Sequence, residues 1–266
     1  MMSLKEEKDM NPYLWTLLGT SVAFLATTLG SAMVFLLKKE NEKMNILSLG
    51  FASGIMMAAA VWSLLIPSIE MANQSVIPAT VGFIIGGAFL YSLDHLVPHL
   101  HAHEQTPEGP KSHIAKSTMM CLAVTLHNIP EGMALGLAFA LGSQGNANFT
   151  LAGAMALTIG IALQNLPEGA AISLPLFQKG TGRVKSFVLG TLSGIVEPIG
   201  GMLTVMLVGT IEPLLPYFLS FAAGAMIYVV VEELIPESQG GHHGHLGVVS
   251  FMVGFLTMMI LDVVLG

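Results

Sequence analysis

The chain has 266 residues, of which 53% are hydrophobic and only 10% are charged. Soluble domains carry about 25% charged residues, so this composition argues against a soluble globular protein and for a polytopic membrane protein. The single cysteine, Cys121, excludes an intramolecular disulfide and an all-cysteine zinc site, and the net charge of −7 decides little, because where the charges sit matters more than their sum.

A mixed-charge start (Lys5, Glu6, Glu7, Lys8, Asp9) precedes a first apolar run over about 12–37. That run is too long for a signal-peptide core and lacks an A-x-A-like cleavage site, so it reads as a retained span. Crossing a bilayer takes about 20 apolar residues, and seven further segments qualify: about 45–69, 77–97, 115–142, 148–177, 184–209, 214–235 and 246–265. They read as helices, since barrel strands are about 10 residues of alternating pattern. The expectation is one all-α transmembrane domain over 1–266 with eight spans.

Lysine and arginine set the orientation. Lys38, Lys39 and Lys43 lie between spans 1 and 2, Lys111 and Lys116 between 3 and 4 or at the very start of 4, and Lys179, Arg183 and Lys185 between 5 and 6 or at the very start of 6. The loops after spans 2, 4 and 6 have none, and only Lys5 and Lys8 fall on the other side. The positive-inside rule then places the odd-numbered loops in the cytoplasm and both termini outside.

One polar signature occurs twice. HNIPEG (127–132) in span 4 is echoed by QNLPEG (164–169) in span 5. Neighbouring spans run antiparallel, so the repeat faces itself with opposite polarity, as in the paired broken helices of transporters with inverted symmetry. An ionisable residue in the hydrocarbon costs at least ~2.5 kcal/mol and is by default a functional candidate. Those in mid-span are His127, Glu131, Glu168 and Glu197; Asp94, Glu232 and Glu233 lie toward cytoplasmic ends, and Glu70 at an outer end. His127 and Glu131 are four apart and share a helix face, with Asn128 on its edge. Gln164, Asn165 and Glu168 repeat the arrangement. If the two faces meet and Glu197 joins them, imidazole, carboxylate and amide donors converge, a set suited to a divalent transition metal, with zinc the first guess.

Pro130, Pro167 and Pro198 each stand beside this cluster. Each removes a helical donor, from the carbonyls of Leu126, Leu163 and Gly194 respectively, and is expected to kink its helix there. Freed carbonyls within a membrane are tolerated where they line a cavity or gain another partner. Gly132 and Gly169 permit close helix approach just beyond. Two histidine-bearing loops are expected on the cytoplasmic side, 98–114 (following Asp94 and His95, with His99, His101 and His103) and 238–245 (with His242, His243 and His245), a composition that binds metal weakly.

On HNIPEG, QNLPEG, the Glu197-Pro198 pair and VEELIPES in span 7, the sequence resembles the ZIP (Zrt/Irt-like) metal transporters, most of all their GufA-type branch, over nearly its whole length. The resemblance implies import of zinc, and often cadmium, iron or manganese, into the cytosol across the plasma membrane. It implies a bundle in which spans 1–3 and 6–8 form an inverted repeat and spans 4 and 5 a symmetric pair, working as a homodimer. It also implies a two-metal site. His127, Glu131, Gln164 and Glu168 would hold one metal with Met56 (or Met57) of span 2. Asn128, Glu131, Asn165, Glu168 and Glu197 would hold the second, and Asn165 stands where some relatives have an aspartate. Glu70 would attract cations at the outer mouth, and Asp94, His99, His101 and Glu233 would receive them at the cytoplasmic exit. The bound metal is cargo, not cofactor, and the partners implied are metal ions and the bilayer, not nucleic acid. Two other classes compete: an intramembrane zinc hydrolase, which would want the H-E-x-x-H spacing this sequence lacks, and an ion-coupled carrier of an organic solute.

Overall fold

The computed structural model describes residues 11–36, 42–96, 116–143, 150–178, 180–209, 212–239 and 244–265. Among the described residues every regular element is helical. Eight long segments follow in order: α1 (Pro12–Leu36), α2 (Glu42–Met71), α3 (Val76–Leu96), α4 (Lys116–Ser143), α5 (Leu151–Gln178), α6 (Arg183–Val208), α7 (Leu215–Gln239) and α8 (Gly244–Leu265). Six of them, all but α4 and α5, are long and apolar enough to cross a membrane over most of their length. The other two have 28 residues each and contain the N-x-P-E-G motifs. Outward-facing leucines, isoleucines and valines on α1, α3, α6 and α8 are exposed, the reverse of a soluble surface and the arrangement that a lipid solvent favours.

Helix association in lipid gains little from hydrophobicity and depends on close packing of small residues. The buried side of α1 shows the consequence: Thr16, Thr20, Ala23, Thr27, Gly30 and Val34 alternate in steps of four and three and line one seam. That seam packs against α5, while α4 packs against the second half of α6. The remaining close pairs are α2 with α8 and α3 with α7.

These pairs repeat a single design. In α2 and α8, Gly54 meets the backbone of Phe251, and Gly254 meets that of Phe51. In α7 and α3, Gly224 meets the backbone of Phe83, and Gly86 that of Phe221. All four come from the same F-x-x-G spacing, and Phe51-Ala-Ser-Gly-Ile-Met56 is nearly duplicated by Phe221-Ala-Ala-Gly-Ala-Met226. A side chain on any of these glycines would drive the helices apart.

The prolines act differently from one helix to another. The helix runs unbroken through Pro130 and Pro167. In α2 it widens to a π-helical stretch over Ala60–Leu65 just before Pro67, and α7 does the same over Val230–Leu234 before Pro236. A proline has no N–H for the carbonyl four residues back and collides with it, and a wider turn relieves both. In α6 the helix breaks into Arg183–Ser193 and Val196–Val208, just ahead of Pro198.

Candidate metal centre

The break in α6 shapes the site. Pro198 cannot donate to the Gly194 carbonyl, so the Glu197 N–H turns to it instead, at 3.1 Å. The Ser193 carbonyl thereby loses its own helical donor, and the Asn128 amide Nδ2 of α4 supplies one at 3.1 Å. The same break places Glu197 in the first turn of the second half of α6, where the helix dipole favours a carboxylate. On the other side of the bundle, Asn165 of α5 mirrors Asn128: its Nδ2 donates to the Ala23 carbonyl of α1 at 3.2 Å.

The two halves then join. Asn165 Nδ2 also donates to Glu197 Oε1 at 2.9 Å, and Gln164 Nε2 donates to Glu131 Oε1 at 2.6 Å. Asn128, Glu131, Gln164, Asn165 and Glu197 are all 0% exposed, and Glu168 is buried beside them. Glu131, Glu168 and Glu197 lie close together, and no lysine or arginine lies in the interior of α4, α5 or α6 to pair with them.

The amides are all used in one sense. Each donates its nitrogen to a carboxylate or carbonyl and leaves its oxygen over. Among the described residues, Asn128 Oδ1, Gln164 Oε1 and Asn165 Oδ1 have no hydrogen-bond partner, and neither do Glu131 Oε2 and Glu197 Oε2. Five buried oxygens without donors would cost about 1–3 kcal/mol each if nothing satisfied them. All are hard acceptors that a divalent cation satisfies well. Among the described residues, no three His, Cys, Asp or Glu side chains stand close enough to hold a metal by themselves.

The other expected residues are distributed as follows. Met56 is buried in the core shared by α2, α4 and α7, and Met57 is half-buried against it. Glu70 is exposed and borders a cavity of about 160 Å³ between α2, α8 and the adjoining ends of α4 and α5. Glu233 is buried in the π-helical stretch of α7. His99, His101, the whole of the 98–114 loop and residues 240–243 of the second loop lie outside the described residues, as do the side chains of Asp94 and His127.

Two features escaped the reading of the sequence. Asp262 of α8 lines that same cavity with Glu70, and Ser63 Oγ donates to its Oδ1 at 2.7 Å. The available signal was an acidic residue in an otherwise uncharged apolar helix. The second is the part played by α1, whose Ala23 and Thr27 reach the centre although neither residue is ionisable.

With this geometry in view, the comparisons with known proteins are specific. The family model described as "ZIP Zinc transporter" matches residues 111–262. The chain is 38% identical to zinc transporter ZIP11 of Xenopus tropicalis, over 96% of this chain and 98% of that protein. It is 34% identical to zinc transporter ZIPB of Bordetella bronchiseptica, over 95% and 82%, and 34% identical to zinc transporter GufA of Myxococcus xanthus, over 94% and 98%.

Proposed function

Since the chain belongs to the ZIP family of zinc transporters and is a multi-pass membrane transporter rather than an enzyme, we propose that it moves zinc into the cytosol through the buried centre between α4, α5 and α6. Cadmium, iron and manganese are secondary cargoes, because carboxylate, amide and imidazole donors serve all of these metals to different degrees. The observation that carries this reading is the set of five buried oxygens on Asn128, Glu131, Gln164, Asn165 and Glu197 that have no partner among the described residues. A chain does not bury such groups without a use for them, and a passing divalent cation is the use that a transporter of this family supplies.

In this reading the cation meets Glu70 and Asp262 at the outer cavity, sheds water, and passes to Glu131 and Glu168. His127, Gln164 and Met56 complete one position. Asn128, Asn165 and Glu197 complete a second that shares the two glutamates. Release is toward Glu233, Asp94 and the loop histidines His99 and His101. The recurring glycine–phenylalanine contacts of α2–α8 and α3–α7 support an inverted repeat of α1–α3 and α6–α8 around the α4–α5 pair. Eight crossings with both termini outside follow from that repeat and from the positive loops. A homodimer in the plasma membrane is taken from the resemblance alone.

The test is zinc flux into liposomes holding the purified protein, with Glu131→Ala and Glu168→Ala compared with the unaltered chain. Both substitutions are expected to abolish most of the flux. Undiminished flux in both would overturn the proposed site.

A further inference from the structure

The contacts at the centre come in matched pairs. Asn128 of α4 donates to the Ser193 carbonyl of α6, and Asn165 of α5 donates to the Ala23 carbonyl of α1. A Cβ on Gly132, in the first motif, would meet the backbone of Glu197, and one on Gly169, in the second, would meet that of Thr27. Ser193 is to Glu197 as Ala23 is to Thr27: four residues further along the same helix, facing the same motif. Thr27 thus occupies on α1 the place that Glu197 occupies on α6.

Thr27 is fully buried, and its hydroxyl reaches across the centre. Its Oγ1 lies 3.5 Å from Glu197 Oε1 and 3.4 Å from the Ala23 carbonyl. A hydroxyl has one proton to give. Both acceptors already receive an Asn165 N–H, and an ionised carboxylate is the stronger acceptor of the two. Glu197 Oε1 then has two donors, Asn165 and Thr27, and Oε2 has none among the described residues. That asymmetry ties one oxygen of the carboxylate and leaves the other over.

We propose that Thr27 is a positioning residue for cargo: from α1, it holds Glu197 Oε1 so that Oε2 is presented to the cation. The inference rests on the reading of this centre as the transport site. Groups that orient a metal ligand typically contribute 10- to 100-fold in affinity, and a single bond this long should fall below that range.

The experiment is zinc uptake by liposomes containing Thr27→Val, Thr27→Ser or Glu197→Ala, with KM and maximal rate measured separately. Valine keeps the shape and removes the proton, so KM should rise about three- to tenfold with the maximal rate little changed. Serine keeps the proton and should restore KM. If Thr27→Val does not yield folded, monodisperse protein, Thr27→Ala takes its place with the same expectation, since it removes the proton without adding bulk. An unchanged KM in the valine (or alanine) variant, or a serine variant as impaired as the valine one, would overturn the inference. Glu197→Ala separates the two levels. If it transports normally, the site reading itself fails; if it is impaired while KM in Thr27→Val is unchanged, only the role of Thr27 fails.

Discussion

Replacing Gly132 with alanine tests the contact that brings α4 and α6 together. A Cβ there would lie 2.6 Å from the Cα of Glu197 and 2.9 Å from its carbonyl carbon, where ordinary contacts begin at 3.4 Å. The obstacle is backbone, so no side-chain rotation relieves it. The two helices must part by most of an ångström, and Asn128 and Asn165 are drawn away from their acceptors on α6, Ser193 and Glu197. Overpacking of this kind costs about 1–3 kcal/mol of stability. The effect on transport should be larger in proportion, because metal–ligand distances tolerate only about 0.2 Å. Zinc uptake is expected to fall about 10- to 100-fold, the range for displacing a group that orients a ligand, while the protein stays folded with a lower midpoint of thermal unfolding in detergent. Gly87→Ala is the control: its Cβ would have one neighbour, at 3.9 Å, and that is an ordinary contact. Normal uptake by Gly132→Ala, or equal loss in the control, would refute the reasoning.

Asn165→Asp replaces an amide donor by a second carboxylate beside Glu197 and against the Ala23 carbonyl. The metal-free protein should unfold at lower temperature, and zinc should raise that temperature more than it does in the unaltered chain. In the unaltered chain, zinc at a hundred times its dissociation constant should stabilise by about 2.7 kcal/mol, measured as a thermal shift that Glu131→Ala removes. Ser63→Ala leaves Asp262 without its hydroxyl donor; uptake at low zinc should change while the maximal rate holds, and a loss of maximal rate instead would place this pair in the transport step.

The parts of this architecture that were legible in the sequence are those encoded locally. Apolar length marked the helices to within a few residues, and the doubled N-x-P-E-G motif singled out α4, α5 and the residues they contribute. Glu197 stood out because a charge in a membrane helix needs a reason. The remainder depends on partners far apart in the chain. Asn165 anchors to Ala23, and Thr27 reaches Glu197, and neither Ala23 nor Thr27 has any chemistry that distinguishes it from the other small residues on the α1 seam. The π-helical stretches before Pro67 and Pro236 were hidden for another reason: a proline announces a lost hydrogen bond but not how the helix absorbs it, and here it is absorbed by widening in two helices, by a break in α6, and within unbroken helix in α4 and α5. Asp262 was overlooked near the end of a helix that otherwise reads as plain lipid-facing apolar sequence.

The central claim is that zinc passes between α4, α5 and α6 on the oxygens left over by the amides. Diffraction from crystals soaked in zinc, recorded on either side of the zinc absorption edge, locates the metal without reference to any substitution. The account predicts an anomalous peak enclosed by Glu131, Gln164 and Glu168, with a second beside Asn165 and Glu197 at higher zinc. Peaks confined to the cavity lined by Glu70 and Asp262 or to the loop histidines, with none at the buried centre, would contradict it.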